Sequence, residues 1–303
     1  MSIWILKAII QKSISFLPFK HNINFLFQKY VTKGVHLSDS LFADKLAHCD
    51  RHLLYFKKYS AENNNFTALE IGTGWYPIVP IGLYLYGAEK IYTIDISPLM
   101  NETRIRQTID KIIQHSEKGF NFTIQQQRLD KLKQLAKQTD LNANQILEQM
   151  NIVSMIADAR KIDLPTGSID LLNSNNTFEH IYPEILIDIL KEFKRIAKPG
   201  GVMSHAIDMS DHFSHLDKSI TPYNFLKFSE GQWRWIDNSI QPQNRMRLYE
   251  HTSLYNYAEI PITEKVITGA GNDSIKNVAL DKRFTGHDLS ETAILHASII
   301  SKM

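Results

Sequence analysis

The sequence predicts an α/β fold: a doubly wound, mostly parallel seven-stranded sheet preceded by an N-terminal helical extension. Two observations carry this. From residue 66 onward, short apolar runs alternate with longer stretches of helical periodicity, as in a sheet covered by helices. A strand, a glycine pair and a helix start also follow one another directly, in Thr67–Ile71, Gly72, Gly74 and Pro77.

In chain order, residues 1–60 read as helical. Ile3, Leu6, Ile10, Ile14 and Leu17 share one helical face, with Pro18 as the stop, and Leu41, Leu46, Leu53, Leu54 and Phe56 recur among polar neighbours. The polar run Ala61-Glu62-Asn63-Asn64-Asn65 then separates an extension or cap, 1–60, from a main domain, 61–303. Strands are expected at 67–71, 90–95, 152–157, 168–173 and 201–207, with two more near 258–267 and 291–300. A helix beginning near Pro77 suits proline, whose missing donor is free in a first turn anyway. Another, at 183–197, places Leu186, Ile189, Leu190, Phe193 and Ile196 on one face and turns at Lys198-Pro199-Gly200-Gly201. Residues 119–150 read as a helical insertion with Arg128, Lys131, Lys133 and Lys137 on its wet face. Residues 209–250 mix aromatic and polar groups, exceed an ordinary connection, and are expected to form a lid over a substrate pocket.

Composition narrows the partners. With 43% apolar and 22% charged residues in a chain of 303, the balance is that of a soluble globular protein. A formal charge of +2 provides no basic footprint, so no nucleic-acid partner is expected. Cys49 is the only cysteine, which excludes an internal disulfide and suits a reducing cytoplasm. No run approaches the roughly 20 apolar residues of a membrane span. Lys7 and Lys12 interrupt the N-terminal apolar run, unlike a signal peptide. A helix packed on its own domain is expected there, and peripheral contact with a membrane surface is the alternative.

The chemistry concentrates in Leu69-Glu70-Ile71-Gly72-Thr73-Gly74-Trp75-Tyr76-Pro77, where a glycine pair lets backbone approach a ligand closely. Asp95 follows 21 residues after Gly74, at a strand end, where a carboxylate accepts hydrogen bonds from two adjacent ribose hydroxyls. A nicotinamide dinucleotide would suit these features too. Against it, Pro77 occupies the place of the third glycine of the dinucleotide fingerprint. Glu70 also puts negative charge where a pyrophosphate would sit, whereas a sulfonium amino acid with a free ammonium would be attracted.

The ordered set resembles the class I S-adenosylmethionine-dependent methyltransferases, whose sheet is Rossmann-like. Leu69–Pro77 resembles their first motif, and Ile94-Asp95-Ile96 their ribose-binding strand end. Ala157-Asp158-Ala159-Arg160 resembles the loop whose acid takes the adenine amino group and whose next amide meets the ring. Asp170–Asn175 and Phe178-Glu179-His180-Ile181 resemble the fourth strand and its exit, and Lys198–Gly201 the turn before the fifth. The resemblance covers 66–208 and implies S-adenosyl-L-methionine as cofactor, held by Glu70, Gly72, Gly74, Asp95, Ile96, Asp158, Ala159 and Asn175. The family's third glycine is absent, and Asn175-Asn176-Thr177-Phe178 lacks both prolines of the Asn-Pro-Pro-Tyr motif of amino-group methylators. No amine acceptor is therefore inferred.

The implied reaction is methyl transfer to a small polar acceptor, expected to be a hydroxyl of a sugar, glycan or secondary metabolite. An oxygen of high pKa needs a base near the methyl group. Residues just after strands four and five face the reaction, and Glu179, His180, Asp208 and His212 fit that location. His180 is the first candidate, since imidazole titrates near neutrality, and Asp208 and His212 come next. The cluster His205, Asp208, Asp211, His212 and His215 matches no ligand template, so no metal is expected. Trp233 and Trp235 could stack on an acceptor within a wall that includes Phe213, Tyr223, Phe225 and Phe228; the competing reading is that these aromatics complete a core. A non-catalytic S-adenosylmethionine-binding module and an aminopropyl transferase are the alternatives on this fold.

Overall fold

The computed structural model describes residues 2–17, 36–60, 65–271 and 273–303. Pro18, residues 61–64 and the helical reading of 18–35 lie outside them. Five strands run parallel: β1 (Thr67–Ile71), β2 (Lys90–Asp95), β3 (Ile152–Ile156), β4 (Ile169–Asn175) and β5 (Ala197–Asp208). Two more, β6 (Glu264–Gly269) and β7 (His296–Lys302), join antiparallel. The order across the single sheet is β3-β2-β1-β4-β5-β7-β6. Strand order therefore reverses between β1 and β4, and the carboxyl ends there open the crevice in which such sheets bind ligands.

The expected elements hold closely in the centre and shift at the edges. The last two strands begin about five residues later than their apolar patterning indicated, β6 at Glu264 and β7 at His296. Lys198-Pro199-Gly200-Gly201 is not a turn before β5 but lies inside it, where a register irregularity between Ile169 and Leu171 lets the strand start at Ala197. An irregular entry absorbs a proline that a regular ladder would exclude.

Helices α1 (Ile3–Ser15) and α2 (Asp39–Tyr59) form the N-terminal part. One face of α2 enters the principal core: Leu46, Cys49, Leu53 and Phe56 are buried with Ala68, Ile81, Leu83 and Ile91. α1 is rotated from the expected face, of which Ile14 alone is buried. Trp4, Ala8, Gln11 and Ile14 are buried, while Ile3, Leu6 and Leu17 are exposed, with Ile9 and Phe16 beside them. Trp4 is the reason, since it anchors a separate core made of Ala8, Phe213, Tyr223, Phe225, Leu226, Trp233, Ile275, Phe284 and Ala293. Among the described residues no helix is long and apolar enough to cross a membrane.

The helices α3 (Ile78–Leu85), α4 (Glu102–Ser116), α5 (Gln126–Leu135), α6 (Ala143–Glu148) and α7 (Pro183–Ile196) cover the sheet. Within the insertion, Arg128 is not part of a solvated face. It donates to the Tyr84 and Ala88 carbonyls, both at 2.6 Å, and so closes the C-terminal end of α3.

The segment after β5 contains α8 (Phe213–Leu216) and α9 (Glu230–Ile236), then α10 (Leu248–Tyr257). Its aromatics correct the expected stacking wall: Phe213, Tyr223, Phe225 and Trp233 are core, and Trp235 is 82% exposed. Trp233 Nε1 donates to the Gln243 carbonyl at 3.0 Å, so even its polar edge is satisfied internally. Arg247, fully buried, donates to the carbonyls of Met209, Thr292 and Ile294 and thus ties β5's exit to the chain before β7.

Two outcomes follow from this packing. Trp233→Ala should cost about 3–5 kcal/mol of stability, as large-to-small changes in a core do. Trp235→Ala should stay within about 0.5 kcal/mol, and thermal melts of the two variants compare them. The second concerns acid. Burial lowers the pKa of His52 to about 4, that of His251 to about 3, and that of His205 well below its usual value. The unfolded chain binds those protons near pH 6.5, so stability is fully present above about pH 6.5 and falls as pH drops toward 4. His296, raised by its hydrogen bond to Asp208, and the Asp211 and Glu179 carboxyls, raised by burial, oppose this, while His48 and His180, lowered by burial, add to it, so the buried histidines prevail. Urea midpoints should therefore be lower near pH 5 than near pH 7.5; a rise on acidification would refute the assignment.

Candidate functional site

The β1–α3 loop is shaped by two residues in the left-handed region, Gly72 at φ 75° and Gly74 at φ 73°. At Gly72 the need for glycine is double, since a Cβ there would lie 2.3 Å from Thr177 Oγ1 on the neighbouring β4 exit. Gly74 N donates to Asp95 Oδ2 at 3.2 Å, and Ser97 N to Asp95 Oδ1 at 3.3 Å. The aspartate thus holds the loop and keeps lone pairs free for a donor in the cavity. Burial raises its pKa, against the pull of these amide donors.

Beneath the loop runs a buried polar chain. Glu70, 2% exposed, accepts from Thr73 Oγ1 at 2.7 Å and from Asn175 Nδ2 at 3.2 Å. Asn175 Oδ1 takes His52 Nε2 at 2.9 Å, and His52 Nδ1 meets Ser204 Oγ at 2.8 Å. With Asn175 facing Glu70 through its amide, His52 must donate from Nε2 and accept at Nδ1. Burial raises the Glu70 pKa, and Lys45 opposes that shift.

A cavity of about 660 Å³ opens above this chain. Gly72, Gly74, Asp95, Ile96, Asp158, Ala159, Asn175 and His180 all lie on its wall. Glu70 does not reach the wall; it works from below, through Thr73 and Asn175. Asp158 is on the rim with Arg160 paired to both its oxygens, and that ion pair lowers its pKa. A carboxylate has about four acceptor positions, so the pair leaves room for an amino group.

Sequence reasoning missed the contributions from distant elements: Leu41 and Lys45 of α2, and Ser239, Ile240, Gln241 and Pro242 of the long segment. Only the length of 209–250 hinted at the second set.

Beyond β4 the short turn Phe178–His180 is fastened to that segment. Asn244 N donates to the Glu179 carbonyl at 2.9 Å, and Asn244 Nδ2 to the Phe178 and Ile181 carbonyls, both at 2.7 Å. His180 Nδ1 lies 2.6 Å from the Pro242 carbonyl, which can only accept, so Nδ1 carries the proton and Nε2 the lone pair. Burial, with the nearby His212, lowers the His180 pKa to about 4. At neutral pH the ring is therefore uncharged and a weak base.

Asp208 and His212 stand behind His180 and off the cavity wall. The His180 and His212 rings are edge to face at 4.9 Å. His212 Nε2 lies 3.4 Å from Asp208 Oδ2, close enough for attraction but not aligned as a hydrogen bond. Burial raises the Asp208 pKa, but the close approach of His212 and His296 and the hydrogen bond from Ser210 N outweigh it and hold the carboxyl below its usual range. Of the rest of the expected cluster, His215 stacks on His212 at 5.3 Å, while His205 and Asp211 turn to other partners. His205 stacks on Phe178 at 4.4 Å and on Phe193 at 5.6 Å. Asp211 accepts from Phe213 N and Asn224 Nδ2, while His215 meets Ser210 Oγ at 3.3 Å.

A methyltransferase-domain family model matches residues 115–204, from the end of α4 into β5. The glycine loop and Asp95 lie before that match and rest on the geometry above. No curated protein sequence matches the chain. Solved structures with a similar backbone include an S-adenosylmethionine-dependent methyltransferase from Aquifex aeolicus, at 14% identity and TM-score 0.40, covering 88% of this chain and 98% of that one. A second, from Methanosarcina mazei, stands at 14% identity and TM-score 0.45, covering 81% and 95%. A third is geranyl diphosphate C-methyltransferase from Streptomyces coelicolor, at 9% and 0.45, covering 84% and 78%.

Asp95→Ala removes the loop's acceptor and, with it, the group expected to take a ribose. It should weaken S-adenosylhomocysteine binding about tenfold or more, given 1–3 kcal/mol per buried donor left unpaired. Gly72→Ala should do the same by forcing the loop away from Thr177. Calorimetry on folded variants checks both, and parental affinity in both would place the nucleoside elsewhere.

Proposed function

We propose that this chain, a class I S-adenosylmethionine-dependent methyltransferase, transfers its methyl group to a hydroxyl of a small polar acceptor such as a sugar, glycan or secondary metabolite. The observation that carries the acceptor reading is the make-up of the cavity. It is continuous from the glycine loop to His180, Tyr182, Ser239 and Gln241, and its volume falls within the about 300–1,000 Å³ of small-molecule sites. The far end joins hydrogen-bonding groups to apolar walls from Ile181, Ile185, Ile189 and Ile240. Such a lining orients a hydroxylated molecule by a few directed bonds and excludes water.

In this reading the acceptor oxygen attacks the methyl carbon in line. A C–O bond forms, the C–S bond breaks with its electron pair returning to sulfur, and the hydroxyl proton leaves to solvent. The protein supplies orientation and a dry site. His180 presents its Nε2 lone pair to the acceptor, and Asp208 and His212 set the field behind it. The long segment contributes Ser239–Pro242 to the acceptor wall, so substrate choice belongs there rather than to its aromatics.

Labelled methyl from S-adenosylmethionine, offered to fractionated small molecules and glycans, tests the reading. Label is expected in an ether resistant to mild base. Label on nitrogen or carbon would sink the hydroxyl assignment. S-adenosylhomocysteine binding with no transfer would favour a non-catalytic module, and turnover of the decarboxylated cofactor an aminopropyl transferase.

A further inference from the structure

We propose that Glu179, His180 and His212 form a binding site for one divalent first-row transition ion on the acceptor side of the cavity. One carboxylate oxygen of Glu179 and one ring nitrogen of each histidine lie within 4.8 Å of one another. They come from different elements, the β4 exit and the β5 exit, so their convergence is not a consequence of sequence adjacency alone.

The second observation is independent of that distance. Glu179 is 3% exposed, and neither of its carboxylate oxygens has a hydrogen-bond partner. The His212 Nε2 is likewise buried without one. Buried carboxylates are satisfied by donors, by a paired cation or by a metal. Asp208 sets a charge of the same sign against Glu179, and the more weakly acting Lys45 and the Glu179 and Asp208 backbone amides only partly offset it. A divalent cation between these groups answers all three orphaned atoms at once.

The histidines are also in the form a metal needs. The Pro242 carbonyl fixes the His180 proton on Nδ1, which leaves Nε2 as the ring atom free to coordinate. A carbonyl on the far nitrogen is the usual way a ligating imidazole is oriented. Asp208, accepting from Ser210 N at 2.9 Å and lying against both His212 and His296, adds negative charge beside the ion without entering the set. Ligands on a tetrahedral ion with bonds near 2.1 Å sit about 3.4 Å apart, so from separations of up to 4.8 Å the side chains must close by at most about 1.4 Å, a matter of small rotations.

The donor set selects the ion class. Two imidazoles and one carboxylate suit Zn²⁺, Co²⁺, Fe²⁺ or Mn²⁺ better than Mg²⁺ or Ca²⁺, which prefer all-oxygen cages. Three protein ligands leave a position open, and His180 brings that position to the cavity wall. The inference deepens the proposed hydroxyl acceptor: an ion there would hold the acceptor oxygen in place of a direct bond to the ring.

The test reads metal binding without any acceptor, so it stands apart from the fate of the hydroxyl reading. The full-length protein, stripped with chelator, is titrated with Co²⁺ and followed by visible absorption, then challenged with Zn²⁺. One Co²⁺ per chain is expected, displaced by Zn²⁺, with Glu179→Gln and His212→Ala each weakening binding at least tenfold. S-adenosylhomocysteine calorimetry on the same samples shows that each variant is folded with its nucleoside site intact. Should His212→Ala fail to fold, Glu179→Gln, which conserves shape, carries the test alone. Stripped parent that binds S-adenosylhomocysteine but no Co²⁺ would overturn the site, as would Co²⁺ binding indifferent to Glu179→Gln.

Discussion

The site depends on one buried carboxylate. Glu70 sits at the end of β1 with almost no access to water, and an unpaired charge there would cost several kcal/mol. Its partners come from the loop it supports, Thr73, and from the adjacent strand, Asn175. Asn175 in turn needs His52, and His52 needs Ser204. Satisfying one carboxylate therefore fixes β1, β4, β5 and α2 relative to one another, at the point where strand order reverses. The glycine loop above inherits that rigidity, and its closeness to Thr177 leaves no slack for a side chain at position 72.

This explains which parts of the molecule could be read in the sequence. The β1 loop, Asp95 and the sheet centre were legible because their signals are local: apolar runs, a glycine pair, and a carboxylate at a fixed distance along the chain. The role of His52 was not, because an isolated histidine on an amphipathic helix looks the same whether it caps a polar chain or faces solvent. Lys45 is hidden for the same reason. At the sheet edge, the β6 segment is only half-buried, so its apolar alternation is weak and its start was misplaced. α1 was read by its apolar positions alone, yet burial followed the larger Trp4 and the uncharged Gln11.

The stretch after β5 shows how burial redistributes roles. Its length marked it as more than a connection, but the aromatics that suggested a ligand wall are consumed by a core shared with α1. Lys12 donates to the Asp237 carbonyl at 2.6 Å and the Arg234 carbonyl at 2.9 Å, and Trp4 N donates to Asp217 at 3.1 Å. The N-terminal helix thereby braces the same segment that presents Ser239–Pro242 to the cavity. Aromatic content in a long loop reports buried area first, and only what remains on the wall can bear on recognition.

The two halves of the cavity differ in how their polar groups are satisfied, and that difference bears on function. On the glycine-loop side every buried group named above has a protein partner, so that half is formed in advance and a ligand there would add bonds to spare lone pairs. On the acceptor side the backbone is equally fixed, with Asn244 making three bonds to the β4 exit. Yet the side chains held by that rigid backbone include a buried carboxylate and an imidazole nitrogen that nothing in the protein satisfies. Folded proteins tolerate few such atoms, and those they keep concentrate where something else completes them. The fold thus completes the polar groups beside the glycine loop and leaves those at the exits of β4 and β5 short of partners, the contrast on which the proposed reaction site rests.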